Sequence, residues 1–245
     1  MNNNIILEAQ SLVKQFGGLI AVNYVSVKLY EGEILGLIGA NGAGKTTLFN
    51  MLSGVFEPTS GKILFENVEI QKKPAYKICE MGIGRTYQIV QPFTNLTVLE
   101  NTMVGALLRH RDTKVAREKA EEILELIGLS HLKDTVGSSL NIPQLKRMEM
   151  ARALATEPKI LLLDEVMAGL NPTEGEMIIN LILKIRDHGV SIIVIEHVMK
   201  AIMNLSDRIY VLNQGELIAE GTPQEVSNDE EVIKSYLGEK KYVKS

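Results

Sequence analysis

Residues 34–52 read ILGLIGANGAGKTTLFNML, and the order of the parts decides the fold. The apolar run Ile34–Ile38 gives way to Gly39, Gly42 and Gly44, and then to a helix-like run from Lys45. A short apolar run stopped by glycine reads as a strand buried on both faces, the kind found in parallel sheets. Gly39 to Thr46 fits G-x-x-x-x-G-K-[ST], and the strand before and helix after are the context that pattern needs. A plain glycine turn is the competing explanation, and it accounts for neither flank. The glycines let the backbone fold tightly enough to aim N–H groups at phosphate oxygens, and the helix N-terminus adds partial positive charge. The residues assigned to phosphates are Gly39, Asn41, Gly42, Ala43, Gly44, Lys45, Thr46 and Thr47. Lys45 reaches the outer phosphates, and the Thr46 hydroxyl is a ligand for Mg²⁺.

Further along the chain, ILLLDE is a buried strand whose end presents Asp164 and Glu165, where α/β sheets bind ligands. Asp164 is read as a holder of Mg²⁺ or its waters. Glu165 is read as the base that orients and deprotonates the attacking water. Alone, the two carboxylates could be a solvated strand end; beside a phosphate loop the chemical reading is the stronger. SIIVIEH ends another such strand and delivers His197 to the same kind of edge, near a γ-phosphate or the water. His110, His131 and His188 carry no such context and read as structural or solvated.

Strand-like and helical runs alternate, which predicts an α/β fold with a mostly parallel core sheet. In AVNYVSVKLY, Val25, Val27 and Leu29 alternate with polar residues, predicting an antiparallel β region near the N-terminus. DRIYVLNQGELIAEG reads as two strands joined at Asn213–Gly215. Thr97 with Glu100, and Thr173 with Glu176, fit capping boxes, and Gly128 closes a helix. The whole chain reads as one domain, with a helical subdomain over about residues 75–155.

Composition narrows the class. The chain has 245 residues, 45% of them apolar, and a net charge of -4, so no broad basic face points to nucleic acid. Cys79 is the one cysteine, which excludes an intrachain disulfide and favours a reducing compartment. MNNNIILEAQ lacks the features of a signal peptide, and MIINLILKI is interrupted by Asn180 and Lys184. The expectation is a soluble, cytoplasmic chain.

With these residues in hand, the chain resembles the ATP-binding subunits of ABC transporters almost from end to end. In QFGGLIAVNYVSVKLYEGEILGLIGANGAGKTTLFNMLSG, the resemblance puts Phe16 where the family's aromatic stacks on adenine. RTYQ places Gln88 at the family's Q-loop, which contacts Mg²⁺ and the attacking water and senses the membrane partner. AGLNP lies at the D-loop, with Leu170 and Asn171 turned to the opposite subunit. LNIPQ stands where the family has LSGGQ, the loop that closes over ATP held by the other subunit. The resemblance implies a dimer with two composite sites, ATP and Mg²⁺ as cofactors, and membrane-spanning permease subunits as partners. The second ATPase subunit is either a copy or a homologous chain, a substrate-binding protein takes part indirectly, and the location is the cytoplasmic face of the membrane. DEVMAGLNPTE and the tail GTPQEVSNDEEVIKSYLGE are similar to the branched-chain amino acid importer branch; lipopolysaccharide-export ATPases share much of that tail.

The LNIPQ loop departs from its family. Asn141 replaces the serine, Ile142 and Pro143 the two glycines. Asn141 still offers a side-chain amide and is a favourable N-cap; Pro143 suits a first helical turn but brings no N–H. One lost hydrogen bond to a charged phosphate costs about 1.5–3 kcal/mol, a roughly ten- to hundredfold weaker closure. Asn141 and Gln144 are the residues assigned to the nucleotide here, and the alternative is a cap helix in a degenerate site. Arg109 and Arg111 read as a solvated helical face sooner than as a partner contact. Among other functions, a soluble P-loop phosphotransferase would need an acceptor pocket and usually a basic lid, and the sequence offers no clear candidate for either. A chromosome-maintenance ATPase would insert a long coiled coil, for which the gap between the phosphate loop and ILLLDE is too short, and a ribosome-acting protein would carry two cassettes where one is present.

Overall fold

A computed structural model describes residues 4–234. The chain forms two compact units, one of residues up to 75 together with those from 191 on, the other of residues 76–190.

The first unit opens with β1 (Ile5–Phe16) and β2 (Leu19–Tyr30), an antiparallel pair, then β3 (Ile34–Ile38), α1 (Lys45–Leu52), β4 (Ser60–Phe65) and β5 (Val68–Glu69). The order β2-β1-β4-β5 makes the antiparallel sheet. Val25, Val27 and Leu29 are its buried face, as their alternation with polar residues predicts.

The chain then enters the second unit through α2 (Ala75–Met81) and β6 (Ile83–Arg85). It continues through α3 (Val98–Ala106), α4 (Thr113–Ile127), α5 (Ile142–Leu154), β7 (Ile160–Asp164) and α6 (Pro172–Asp187). Helices α3, α4 and α5 pack on one another with Ala106, Ala116 and Ala155 at the contact, small residues that let the axes approach. The Thr97–Glu100 capping box starts α3, and Gly128, at φ 75°, closes α4. β6 and β7 run parallel.

The chain returns to the first unit as β8 (Ser191–Ile195), α7 (Met199–Leu205), β9 (Arg208–Asn213), β10 (Glu216–Gly221), α8 (Pro223–Asn228) and α9 (Glu230–Val232). β3 lies between β8 and β9, parallel to both, and β10 turns back on β9. The β9–β10 turn is Gln214–Gly215, with φ of 48° and 84°, the left-handed pair a two-residue hairpin demands. The part of the C-terminal tail from residue 235 on lies outside the described residues. Every residue of β3, β7 and β8 is buried, so these strands can present polar groups only at their ends. The fold is the α/β class read from the sequence, a parallel core with an antiparallel β region and a helical part.

One boundary differs from expectation. α6 is capped by Asn171 and not by Thr173: Asn171 accepts from the Glu174 amide at 3.0 Å, and Glu174 accepts from the Asn171 amide at 2.9 Å. With Asn171 as cap, Pro172 takes the first helical position, where its fixed φ is preorganised for the helix and its missing N–H is one that has no partner within the helix. Asn171→Ala should therefore lower stability by about 1 kcal/mol in urea unfolding, whereas Thr173→Ala should change it by less than about 0.5 kcal/mol.

Candidate active site

In the first unit, the loop after β3 is a cradle built on glycine. Gly39 has φ 152° and Gly44 φ 100°. A Cβ on Gly39 would stand 2.2 Å from the Leu212 carbonyl oxygen, and one on Gly44 2.5 Å from that of Ala21. No other residue fits at either point. Gly42, at φ 82°, has open space where its Cβ would be, so the loop's concave side is clear for a ligand. The Gly215 amide donates to the Ala43 carbonyl at 3.1 Å, so the β9–β10 turn props the loop. Lys45 is buried and donates to the Gly39 and Ala40 carbonyls at 2.7 and 3.0 Å, folding its ammonium over the loop. α1 begins at Gly44 with no side-chain cap, which leaves the first-turn amides and the positive end of the helix to an anion. The Thr46 hydroxyl is on the exposed side.

His197 belongs to the same edge. Leu37 of β3 pairs with Ile195 of β8 in parallel register, and Gly39 and His197 each lie two residues beyond that pair. His197 is exposed. Phe16 ends β1, 42% exposed, with Phe56 edge-on at 5.3 Å and the Lys14 ammonium 5.1 Å over its ring. Lys14 and Phe56 have no motif and were not legible beforehand.

In the second unit, parallel register does the same work. Arg85 of β6 pairs with Leu162 of β7, so Gln88 and Glu165 each lie three residues past a common pair. The Gln88 amide donates to the Glu165 carboxylate at 2.7 Å. Asp164 pairs with Arg85 at 3.1 Å, the side chains 2% and 7% exposed. Its amide donates to the Thr86 hydroxyl at 3.2 Å, which fixes the strand end. Glu165 holds φ 51°, a left-handed conformation that costs a non-glycine residue about 1–3 kcal/mol unless the surroundings impose it. The buried Lys146 ammonium donates to the Glu165 carbonyl at 2.9 Å.

The LNIPQ segment caps α5. Asn141 accepts from the Gln144 amide and Gln144 from the Asn141 amide, both at 3.0 Å. Pro143 has no amide and that of Gln144 is used, so Ile142 N–H and the Asn141 side-chain amide are the donors the cap leaves for a ligand. Deeper along α5, the buried Glu149 accepts from the Tyr87 amide at 2.9 Å, and Arg152 donates to the Gln91 carbonyl at 3.2 Å. Burial pushes the Glu149 carboxyl above the usual carboxylate range, against the Tyr87 hydrogen bond. Asn101, fully buried, ties down the end of the same loop through the Phe93 amide and the carbonyls of Phe93, Leu96 and Thr97.

Arg85, Lys146, Glu149 and Asn101 escaped the motif reading. The available signal for the α5 pair was the spacing alone, Lys146 and Glu149 three apart and so on one helical face. Arg109 is exposed, just past the end of α3, and donates to the Thr156 and Glu80 carbonyls at 2.9 and 2.7 Å. His110 lies 2.7 Å from Glu157, His188 bonds the Lys184 carbonyl, and His131 is exposed, in keeping with structural or solvated roles.

Among the described residues no cluster of three or more His, Cys, Asp or Glu gathers as a metal site. Gln88 and Asp164 in the second unit bring a carboxamide and one carboxylate, and Thr46 in the first unit brings a hydroxyl. Mg²⁺ takes few protein oxygens and keeps waters and phosphates, so that donor chemistry fits it.

Comparison with known proteins bears on this geometry. The family described as ABC transporter matches residues 22–168, and the one described as branched-chain amino acid ATP-binding cassette transporter matches 216–242. The high-affinity branched-chain amino acid transport ATP-binding protein LivG of Escherichia coli K12 is 43% identical over 96% of this chain and 98% of its own. The lipopolysaccharide export system ATP-binding protein LptB of Haemophilus influenzae is 38% identical, over 96% and 98%. The ADP conformation of an ATP-binding cassette of an ABC transporter superposes with TM-score 0.87 at 34% identity, covering 96% and 99%. A dimeric cassette in a post-hydrolysis state with ADP and Pi gives 0.81 at 25%, covering 89% and 98%.

Arg85→Met leaves the Asp164 charge buried and should cost about 3–5 kcal/mol of stability without nucleotide. Adding Asp164→Asn should restore most of it in the same unfolding assay. Glu149 has a folded pKa above its unfolded one, so its contribution is full below the ordinary carboxyl range and lost as pH rises through the folded value. Glu149→Gln should thus gain stability relative to the unsubstituted chain on going from pH 4 to pH 8, in urea midpoints taken at both.

Proposed function

The chain belongs to the ABC transporter family of ATP-binding subunits, and from that premise we propose how its residues bind and hydrolyse Mg·ATP and what the hydrolysis drives. The reading is carried by the cradle of residues 39–47, where Gly39 and Gly44 exclude any side chain and Gly42 faces open space. Amides of Asn41, Gly42, Ala43, Gly44, Thr46 and Thr47 ring the phosphates, and Lys45 turns from its own carbonyls to the outer phosphate oxygens. Phe16 stacks on adenine. Thr46, Asp164 and Gln88 hold Mg²⁺, which when bound neutralises charge on the phosphates. Glu165 takes the proton of the attacking water. His197 positions that water or the γ-phosphate at the edge it shares with Gly39.

The whole chain acts as one ATP-binding domain, with the helical part over about residues 75–155 as the subdomain that carries LNIPQ. Two copies, or this chain and a homologous ATPase, close on ATP. Asn141 and Ile142 of each reach the nucleotide of the other, with Gln144 fixing Asn141. Both Asn141 and Ile142 are exposed, as an interface role needs. Closure and reopening pull on membrane-spanning permease subunits through the segment around Gln88, at the cytoplasmic face of the membrane. Among the described residues no helix is long and apolar enough to cross a membrane, which suits a peripheral subunit.

The cargo is a branched-chain or related amino acid, delivered to the permease by a substrate-binding protein. The match of residues 216–242 to the branched-chain family supports this branch over lipopolysaccharide export, although LptB is nearly as similar along the chain. The test is the solution mass of Glu165→Gln with and without Mg·ATP. Removing the base traps the closed state, so ATP should convert monomer to dimer. ATP bound to a chain that stays monomeric would sink the homodimer and leave a distinct ATPase partner as the closing subunit.

A further inference from the structure

Glu165 is gripped from both ends, and both grips lead back to one face of α5. Its carbonyl accepts from Lys146 at 2.9 Å, and its carboxylate accepts from Gln88 at 2.7 Å. The residue before Gln88 donates its amide to Glu149 at 2.9 Å. Lys146 and Glu149 are three apart on α5, hence neighbours on one helical face. The ring therefore closes: Glu165 carbonyl, Lys146, one turn of α5, Glu149, Tyr87 amide, Gln88 side chain, Glu165 carboxylate. Lys146 and Glu149 are buried, 6% and 3% exposed, and neither belongs to a motif that touches nucleotide.

We propose that Lys146 and Glu149 are positioning residues for the base: Lys146 imposes the left-handed peptide of Glu165, and Glu149 sets the amide that aims Gln88 at its carboxylate. This rests on Glu165 being the base. A peptide at φ 51° on a residue with a Cβ reverts to an ordinary conformation unless something holds it, and a buried ammonium needs an acceptor as much as the peptide needs a donor. One bond answers both needs. The N-terminus of α5 is the LNIPQ cap, about one turn before Lys146, so a single helix joins the loop assigned to a partner's nucleotide to the peptide of this chain's own base. Farther along, Arg152 holds the Gln91 carbonyl and lies 5.5 Å from the Phe93 ring, extending the hold along the segment after Gln88.

The experiment measures ATP turnover and Mg·ADP affinity of the full chain carrying Lys146→Met or Lys146→Arg, with and without Glu165→Gln. A misplaced base costs rate and not affinity. Lys146→Met should lower kcat about ten- to hundredfold with the Mg·ADP Kd changed less than about twofold, and Lys146→Arg should recover most of kcat. In the Glu165→Gln background, Lys146→Met should lower the residual rate less than about twofold, because a residue that acts through the base has nothing left to act on. An unchanged kcat overturns the proposal, as does an equal loss in both backgrounds or a loss that arginine does not recover. Should Lys146→Met fail to fold, Glu149→Leu against Glu149→Gln, which keeps the acceptor for Tyr87, carries the same contrast. An unsubstituted chain that binds Mg·ADP and turns over no ATP removes the activity itself, and the proposal with it.

Discussion

A strand buried on both faces has no room for a polar side chain along its body, so any chemistry it carries must sit at its end. β3, β7 and β8 are such strands, with every residue buried. Within each unit, parallel pairing then brings strand ends level. Leu37 opposite Ile195 sets Gly39 and His197 at one height, and Arg85 opposite Leu162 does the same for Gln88 and Glu165. The functional residues are far apart in sequence because the crossovers between parallel strands are long, yet register alone aligns them.

The ends have costs that the surrounding residues absorb. The loop after β3 needs backbone approaches that only glycine permits, against the Leu212 and Ala21 carbonyls. The end of β7 carries a buried carboxylate, and Arg85 supplies the countercharge at 3.1 Å. The next residue turns left-handed, and Lys146 holds its carbonyl. The two charged supports, Arg85 and Lys146, are cations held against the residues that the proposed function assigns to Mg²⁺ and to the attacking water. A preorganised polar site of this kind does not have to rearrange its dipoles during the reaction.

What was legible in the sequence followed from local rules. The buried strands declare themselves by unbroken apolar runs, the phosphate loop by its glycines and lysine, and the β9–β10 hairpin by its turn. The start of α6 differs from expectation because two overlapping capping boxes fit the spacing, and the one that forms is Asn171 with Glu174, with Pro172 in the first turn. Arg85, Lys146 and Glu149 were invisible for a different reason. Their partners are backbone groups or strand-end carboxylates at distant positions, and no spacing rule links a helix residue to the carbonyl of residue 165. Burial hid them as well, since charged residues on a helix read by default as its solvated face.

The unusual LNIPQ loop now has a physical account on its own chain. As a cap it is well made: a reciprocal Asn141–Gln144 pair and a proline where no amide is needed. That same economy consumes donors, because the Gln144 amide serves Asn141 and Pro143 has none. Ile142 N–H and the Asn141 side-chain amide remain, where a serine and two glycines would offer more. Two donors at the positive end of a thirteen-residue helix are the chemistry the proposed function asks of this loop. The helix that this cap opens is the one that carries Lys146 and Glu149. On the proposed function, such a loop gives up some grip on nucleotide while it caps the helix that carries Lys146 and Glu149.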